Sequence, residues 1–348
     1  MNVLVSALGQ TWEPFVLILG LLMIGHSAAS DGLFEAVGTR LASLPGGGVI
    51  LFLAMMGLVA IVSATLNLDT SVVFVTPILL HAARRRGLEE RAFLYGSIFM
   101  ANSASLVLLG SNLTNIMVFA GRHERGATFS TTMFPAWVAS IALTSLVVMV
   151  WCWRELRSPV VTSTEPPPKV HLSVGSAGVA AATILMLATA NPALPVLAVG
   201  VAAELWETLV IRRSRLSEAL RVLNLALLGG LFCFSSAVAV VARLWHAPEH
   251  LMTSAGTWAS AGVGVLSANV INNLPAAALL SSKLPTHPFA LLLGLDLGPN
   301  LFVFGAMSSL LWLRVARHND ARPSLATFSR VGGVVTATTL VAAALLTF

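Results

Sequence analysis

The feature that most constrains this chain is a repeated pattern. Apolar runs of membrane-spanning length are interrupted at matching places in the two halves by short strings of Asn, Asp, Ser, Thr, Gly and Pro. A spanning helix needs about 20 apolar residues. Backbone polar groups inside hydrocarbon must be satisfied within their own segment, so a broken helix persists at membrane depth only where it is buried in protein or lines a hydrated cavity. With 56% hydrophobic and 10% charged residues, against about 25% charged in soluble domains, the chain belongs in a bilayer. Its basic residues sit in short loops and form no stripe interleaved with aromatics, which argues against nucleic acid as a partner.

Along the chain, the pattern predicts a span over 14–29, an amphipathic interfacial piece over 32–44, and a hairpin over 48–83 with a polar tip at 67–71. A broken helix over 92–120 follows, interrupted at 102–105 and 110–115, then a span over 134–153 and a Pro-rich linker through Pro166-Pro167-Pro168. Spans over 173–189, 192–211 and 222–241 open the second half. A second hairpin over 252–280, with polar residues Ser267, Asn269, Asn272 and Asn273, precedes a second broken helix over 289–313, interrupted at Asp296, Gly298, Pro299 and Asn300 and again at Gly305, Ser308 and Ser309. The expected fold is all-α and polytopic, with a first repeat over 1–157, a linker over 158–172 and a second repeat over 173–348. Side by side, the halves pair Ser63-Ala64 with Ser267-Ala268, Asp69 with Asn273 and Gly110 with Gly305.

Loop charge predicts orientation. With the Arg84–Arg91 loop in the cytoplasm, sixteen of the 20 Lys and Arg residues fall inside, and Arg122, Arg125, Arg243 and Lys283 fall outside. The two hairpins then open to opposite sides, so the repeats are inverted in the membrane. Met1 to Gln10 carries no positive n-region, and a cleaved signal peptide is not expected. The expected location is the plasma membrane, the inner membrane of a bacterium.

Paired interruptions in two halves point to a solute site at the midplane, where half-helix N-termini face anions and unwound carbonyls with Ser, Thr and Asn oxygens face cations or polyols. The candidate binding residues are Asn67, Asp69, Thr70, Asn102, Ser105, Ser111, Asn112, Thr114, Asn115, Asn272, Asn273, Asp296, Gly298 and Asn300. Asp69 and Asp296 are the two acids placed deep in membrane segments, where an ionised carboxylate costs about 2.5–3.5 kcal/mol to insert. Each needs a cavity, a cation or a donor, and proton or sodium coupling is the natural use. His26, Glu204 and Glu207 are expected near the interface, and Pro77 and Pro275 are expected to shape the hairpins. Cys152 and Cys233 lie in apolar runs with no paired spacing, which gives neither a disulfide framework nor a thiolate metal site.

At the same residues the chain resembles the arsenical pump family, the arsenite efflux permeases of the ion transporter superfamily, which also holds sodium/proton antiporters and carboxylate transporters. The resemblance rests on Gly32-Leu33-Phe34-Glu35, on Asn67, Asp69 and Thr76-Pro77, and on Ala101-Asn102-Ser103-Ala104-Ser105 leading to Gly110-Ser111-Asn112-Leu113-Thr114-Asn115. It continues in Asn272-Asn273-Leu274-Pro275 and in Asp296-Leu297-Gly298-Pro299-Asn300 with Gly305 and Leu311-Trp312-Leu313. It implies inverted repeats, a transport domain moving against a scaffold, export of arsenite or a similar small oxyacid or anion, H+ or Na+ as the coupling ion, and no organic cofactor. A homodimer and an energising ATPase subunit are partners known in such proteins. Here Leu68-Asp69 stands where the family has Asn-Asp, Asn102 where an Asp is frequent, and Asn300 where some members carry Lys. Carboxylate carriers favour Ser-Asn-Thr at both tips, which neither tip has. An aspartyl enzyme built on Asp69 and Asp296 would need a Gly-x-Gly-Asp that is missing, and neither a HExxH nor a Gly-x-Ser-x-Gly motif is present. The reading is therefore a transporter and not an enzyme.

Overall fold

The computed structural model describes residues 3–120, 125–161, 173–209 and 225–348. Pro166–Pro168, Lys169, Arg122 and the basic stretch 212–221 lie outside the described residues. Every regular element described is helical.

α1 (Val3–Ser30) runs through Pro14 without ending, and Gly32 at φ 76 lets the chain turn sharply into α2 (Leu33–Ala42). α2 buries Phe34, Gly38 and Ala42, residues four apart on one face. α3 (Gly48–Leu66) is apolar throughout and stops at Asn67, whose φ of 104 no helix accommodates. α4 (Leu68–Arg85) starts at once and folds back on α3, where the Ser71 hydroxyl donates to the Val59 carbonyl at 3.4 Å. The first hairpin thus turns on one residue, and most of the polar tip string is the first turn of α4.

α5 (Arg91–Ala104) is buried from Ala92 to its end. It gives way to irregular backbone with a 3₁₀ turn over Leu109–Ser111 and resumes as α6 (Leu113–Val118). α7 (Gly126–Trp151) closes the first half, followed by the short α8 (Trp153–Leu156). α9 (Val174–Ala188) and α10 (Ala193–Leu209) pack on α1 so closely that a Cβ at Gly20 would come within 2.7 Å of the Leu197 backbone. α11 (Leu225–Leu244) bends by 80° into α12 (Ala247–Ser254).

The second hairpin consists of α13 (Thr257–Ile271) and α14 (Asn273–Leu280), joined at Asn272 with φ 75. Its first arm begins at Thr257 and not at Met252, because the extended Ala255-Gly256 link leaves Met252 in α12. α15 (Pro288–Leu297) is followed by 3₁₀ turns over Gly298–Asn300 and Val303–Gly305, and α16 (Met307–His318) resumes the helix. α17 (Leu325–Thr347), capped by the Ser324 hydroxyl on Thr327 N, is a further apolar helix that the interruption pattern does not reveal.

Four helices, Ala7–Ser30, Gly48–Leu66, Gly126–Trp151 and Leu325–Thr347, are each long and apolar enough to cross a membrane. The bent pair α11–α12 adds a fifth if it is taken as one span. The two broken helices form the buried centre. α13 meets α15 through Gly264 and Gly294, where a Cβ on Gly294 would lie 2.1 Å from the Ala261 carbonyl. α7 and α17 wrap the outside and brace the ends of the broken helices. Trp137 Nε1 donates to Ala104 O at 3.0 Å, and Thr336 Oγ1 donates to Leu297 O at 3.2 Å. Exposed Ile61, Phe134, Val150, Leu266 and Val270 present the apolar outer surface that lipid requires.

Candidate functional site

The two hairpin tips and the two breaks meet at one small cavity of about 20 Å³, lined by Leu68, Asp69, Asn112, Leu113, Asn273, Leu274, Ala306, Met307 and Ser308. Each lining residue opens a helix. Leu68 and Asp69 begin α4, and Asn273 and Leu274 begin α14. Asn112 caps α6, with Leu113 as its first residue, and Ala306 caps α16, with Met307 and Ser308 following. Four helix N-termini therefore converge on the cavity, and three of the helices are eight residues or longer. Free N–H groups at such ends carry partial positive charge. Asp69 is the one ionisable side chain in the lining, with no Lys, Arg or His beside it. It is buried and makes no hydrogen bond or ion pair among the described residues.

Asp296 lies behind this lining, almost fully buried. Its Oδ1 accepts from Asn112 Nδ2 at 2.9 Å and from the Thr114 hydroxyl, while its Oδ2 has no partner among the described residues. On the opposite side, Asn102 Oδ1 accepts from the Ser308 hydroxyl at 3.2 Å, and Asn102 Nδ2 donates to Asn300 Oδ1 at 2.9 Å. These contacts are reciprocal. Aligning the caps Asn112 and Ala306 pairs Thr114 with Ser308 and Asn102 with Asp296, so the first half's hydroxyl reaches the second half's carboxylate and the second half's hydroxyl reaches the first half's amide. Such exchange is the mark of a two-fold relation between segments. The positive-φ tips likewise pair Asn67 with Asn272, hence Leu68 with Asn273 and Asp69 with Leu274. Both alignments move the sequence pairing by one position, so Asp69 no longer faces Asn273 and Gly110 no longer faces Gly305. The corrected pairs place one polar and one apolar residue across the cavity three times, at Leu68/Asn273, Asp69/Leu274 and Asn112/Ala306.

The candidate residues divide by task. Asp69, Asn112 and Asn273 line the cavity. Thr114, Asp296, Asn102 and Asn300 form the bonded layer behind it. Asn67 and Asn272 build the tips: Asn67 Oδ1 accepts from Thr70 N at 2.8 Å, and Asn272 Oδ1 accepts from Leu274 N at 3.4 Å while its Nδ2 donates to Phe304 O at 3.1 Å. Ser105, Ser111 and Asn115 hold the first break together. Ser111 Oγ donates to Ser105 O at 2.5 Å and to Leu108 O at 2.6 Å, and Asn115 Nδ2 donates to the same two carbonyls at 3.0 Å each. The Gly298 carbonyl accepts from Asn269 Nδ2 at 2.9 Å, and a Cβ on Gly298 would lie 2.9 Å from the Val265 backbone, so this glycine serves packing. Thr70 is buried against Gly25 of α1, and its hydroxyl has no partner among the described residues.

Ser308, which the sequence marks only as part of the second interruption of its broken helix, is a lining residue outside the candidate set. Its signal was its place two residues after a break, matching Thr114. At the tight α1–α10 contact His26 and Glu207 are buried and Glu204 is half-buried. His26 Nδ1 lies 2.8 Å from Glu204 Oε1, and the Ser27 hydroxyl donates to Glu207. Among the described residues no cluster of three or more His, Cys, Asp or Glu could hold a metal ion.

Comparison with known proteins agrees with this architecture. An uncharacterized transporter of Mycobacterium tuberculosis is 27% identical over 378 residues, covering 97% of this chain and 86% of that protein. The arsenical pump membrane protein of Escherichia coli is 24% identical over 362 residues, covering 93% and 83%. The YdaH transporter of Alcanivorax borkumensis, whose crystal structure was described as having an unusual topology, superposes with a TM-score of 0.62 at 13% identity over 99% of this chain and 86% of that one, which is a likeness of fold. The citrate transporter family, CitMHS, matches residues 1–297. With apolar spans, paired hairpins and broken helices around one central cavity, the chain is a multi-pass membrane transporter that belongs to the CitMHS family.

Proposed function

We propose that the protein is a secondary active transporter that exports arsenite or a similar small oxyacid across the plasma membrane in exchange for protons, with Asp69 as the group that solute and proton share. One observation carries this reading: a cavity large enough for about one water, built by helix N-termini from both halves, with a single carboxylate and no cation in its lining. A neutral oxyacid presents O–H donors to an ionised Asp69 and oxygens to the helix N–H groups. A proton on Asp69 removes its charge and turns one of its oxygens from acceptor to donor. Solute and proton then compete for one carboxylate, and competition of this kind is the thermodynamic basis of exchange. Inverted orientation of the halves, which the loop charges and the reciprocal Thr114–Asp296 and Ser308–Asn102 bonds both support, provides two related half-sites for alternating access.

A second reading, sodium-coupled uptake of a carboxylate, draws support from the family's name and from the convergence of helix N-termini, each equivalent to about +0.5 charge. Three helices of eight residues or more supply about +1.5 against up to −2 from Asp69 and Asp296. A multiply charged anion would thus need one of these acids neutralised by a bound cation. The smallness of the closed cavity and the lack of Arg or Lys favour the compact neutral solute.

The test is uptake into everted membrane vesicles of arsenite, sodium and a tricarboxylate, each under a proton gradient and again under a sodium gradient. Arsenite accumulation driven by protons, reduced at least about tenfold by Asp69→Asn or Asp296→Asn at normal expression, is expected. Movement of a tricarboxylate under a sodium gradient, with arsenite static, refutes the oxyacid assignment.

A further inference from the structure

A second and larger cavity, about 410 Å³, lies between the end of α1, α2 and α4 and reaches Asn319 after α16. The function above does not use it. Its walls change character with depth along one face of α4. At the mouth Arg85 and His81 are exposed with Asn319 in the same wall, and the exposed Glu35 of α2 lines the cleft next to Phe34. Deeper, Pro77, Ile78 and Phe74 are half-buried. At the base Phe34 of α2 is buried and stacks on Phe74, ring centroids 5.8 Å apart and planes 22° from parallel. One turn beyond Phe74 on the same face stands Thr70, fully buried, its hydroxyl without a partner among the described residues. The next residue is Asp69, in the lining of the central cavity. The outer wall is fixed where Arg86 donates to the carbonyls of Ala42 at 2.5 Å and Gly46 at 2.7 Å, clamping the end of α2 to α4.

We propose that this cleft is the aqueous vestibule through which a small oxygen-rich solute reaches Asp69 from the side of the Arg84–Arg91 loop, and that the stacked Phe34 and Phe74 are its closed gate. Exposed Arg85 and His81 at the mouth and Glu35 farther in suit water and a polar solute, since a lipid-facing fissure would leave the Glu35 carboxylate in hydrocarbon at a cost of kilocalories. The aromatic pair is the last apolar barrier before the buried Thr70 hydroxyl, which stands where a passing solute would find its first buried hydrogen-bond partner. The inference rests on the chain being a transporter and is independent of which solute it carries.

The experiment uses single cysteines in the full chain with exposed Cys233 replaced by Ser; Cys152 is buried. His81→Cys, Thr70→Cys and lipid-facing Ile61→Cys are treated with a membrane-impermeant thiosulfonate in everted and in right-side-out vesicles. His81→Cys should react from the face bearing the Arg84–Arg91 loop, and Ile61→Cys from neither. Thr70→Cys, reached only in a minor open state populated at about 0.1–10%, should react at least about tenfold more slowly than His81→Cys. Phe74→Ala, or Phe34→Ala if the former does not fold, should raise the Thr70→Cys rate toward that of His81→Cys. Labelling of His81→Cys only by a lipid-permeant maleimide, as for Ile61→Cys, overturns the vestibule. A Thr70→Cys rate indifferent to both alanine variants overturns the gate. Because labelling needs no transported solute, failure of arsenite movement with the labelling pattern intact would count against the proposed cargo alone.

Discussion

Asn102 shows what one residue does at the centre of this protein. Its amide satisfies Asn300 Oδ1 with one end and the Ser308 hydroxyl with the other, in a layer nearly devoid of solvent. Removing one partner of a buried hydrogen bond costs more than the bond is worth, because the other is left desolvated. Asn102→Ala should lower unfolding stability in detergent by about 1–3 kcal/mol. Ser308→Ala should be milder in that background than alone, giving a coupling of at least about 0.5 kcal/mol in a double-mutant cycle. Thermal melts of the four proteins measure this, and strict additivity would remove the pair as an energetic unit. The same logic marks Asp296 Oδ2, Asn300 Nδ2 and Asn115 Oδ1, buried atoms without a partner among the described residues, as the places where bound solute or solvent would be held most strongly.

The hairpin tips belong to the scale of the element. Asn67 has φ 104 and ψ 167, a region open essentially to glycine, and still caps α4 through Thr70 N. Asn67→Gly loses the cap but also the Cβ that this backbone disfavours, so it should cost roughly 0.5 kcal/mol or less, whereas Asn67→Ala keeps the Cβ and loses the cap, so it should cost about 0.5–2 kcal/mol. A Tm that ranks Ala at or above Gly would show that the strain is not there. The packing of α17 on the second break gives a sharper contrast. A Cβ at Gly332 would sit 1.7 Å from the Asn300 carbonyl, while one at Gly333 would meet only the Leu301 side chain at 3.4 Å. Gly332→Ala should therefore displace α17 and abolish a folded monodisperse peak on size exclusion, and Gly333→Ala should elute as the parent does. Equal behaviour of the two would mean that α17 does not approach the break so closely.

For the whole molecule, the central question is whether the halves face opposite ways. Gly87 lies in the loop after the first hairpin and Lys283 in the turn after the second. If the repeats are inverted, Gly87→Cys and Lys283→Cys should react with an impermeant thiol reagent from opposite faces of the membrane. Reaction from the same face would refute inversion while leaving the reciprocal contacts intact. α1, α9 and α10 are knit together by backbone approach at Gly20, Gly175 and Gly200, by the part-buried His26–Glu204 contact and by the buried Ser27–Glu207 contact.

By itself the sequence determined membrane residence, the two hairpins and the two broken helices, because these follow from local rules: apolar length, and the exclusion of unsatisfied backbone from hydrocarbon. It also determined the residue types at the tips, since few side chains tolerate positive φ. Only the tertiary structure decided which polar residues face the cavity and which brace the breaks. Helices such as α3 and α15 are apolar on every side, so no amphipathic stripe records how they are rotated against their neighbours. Tertiary packing sends Asp69 into the cavity, holds Asp296 behind it on Asn112 and Thr114, and sets buried Glu207 and half-buried Glu204 against α1.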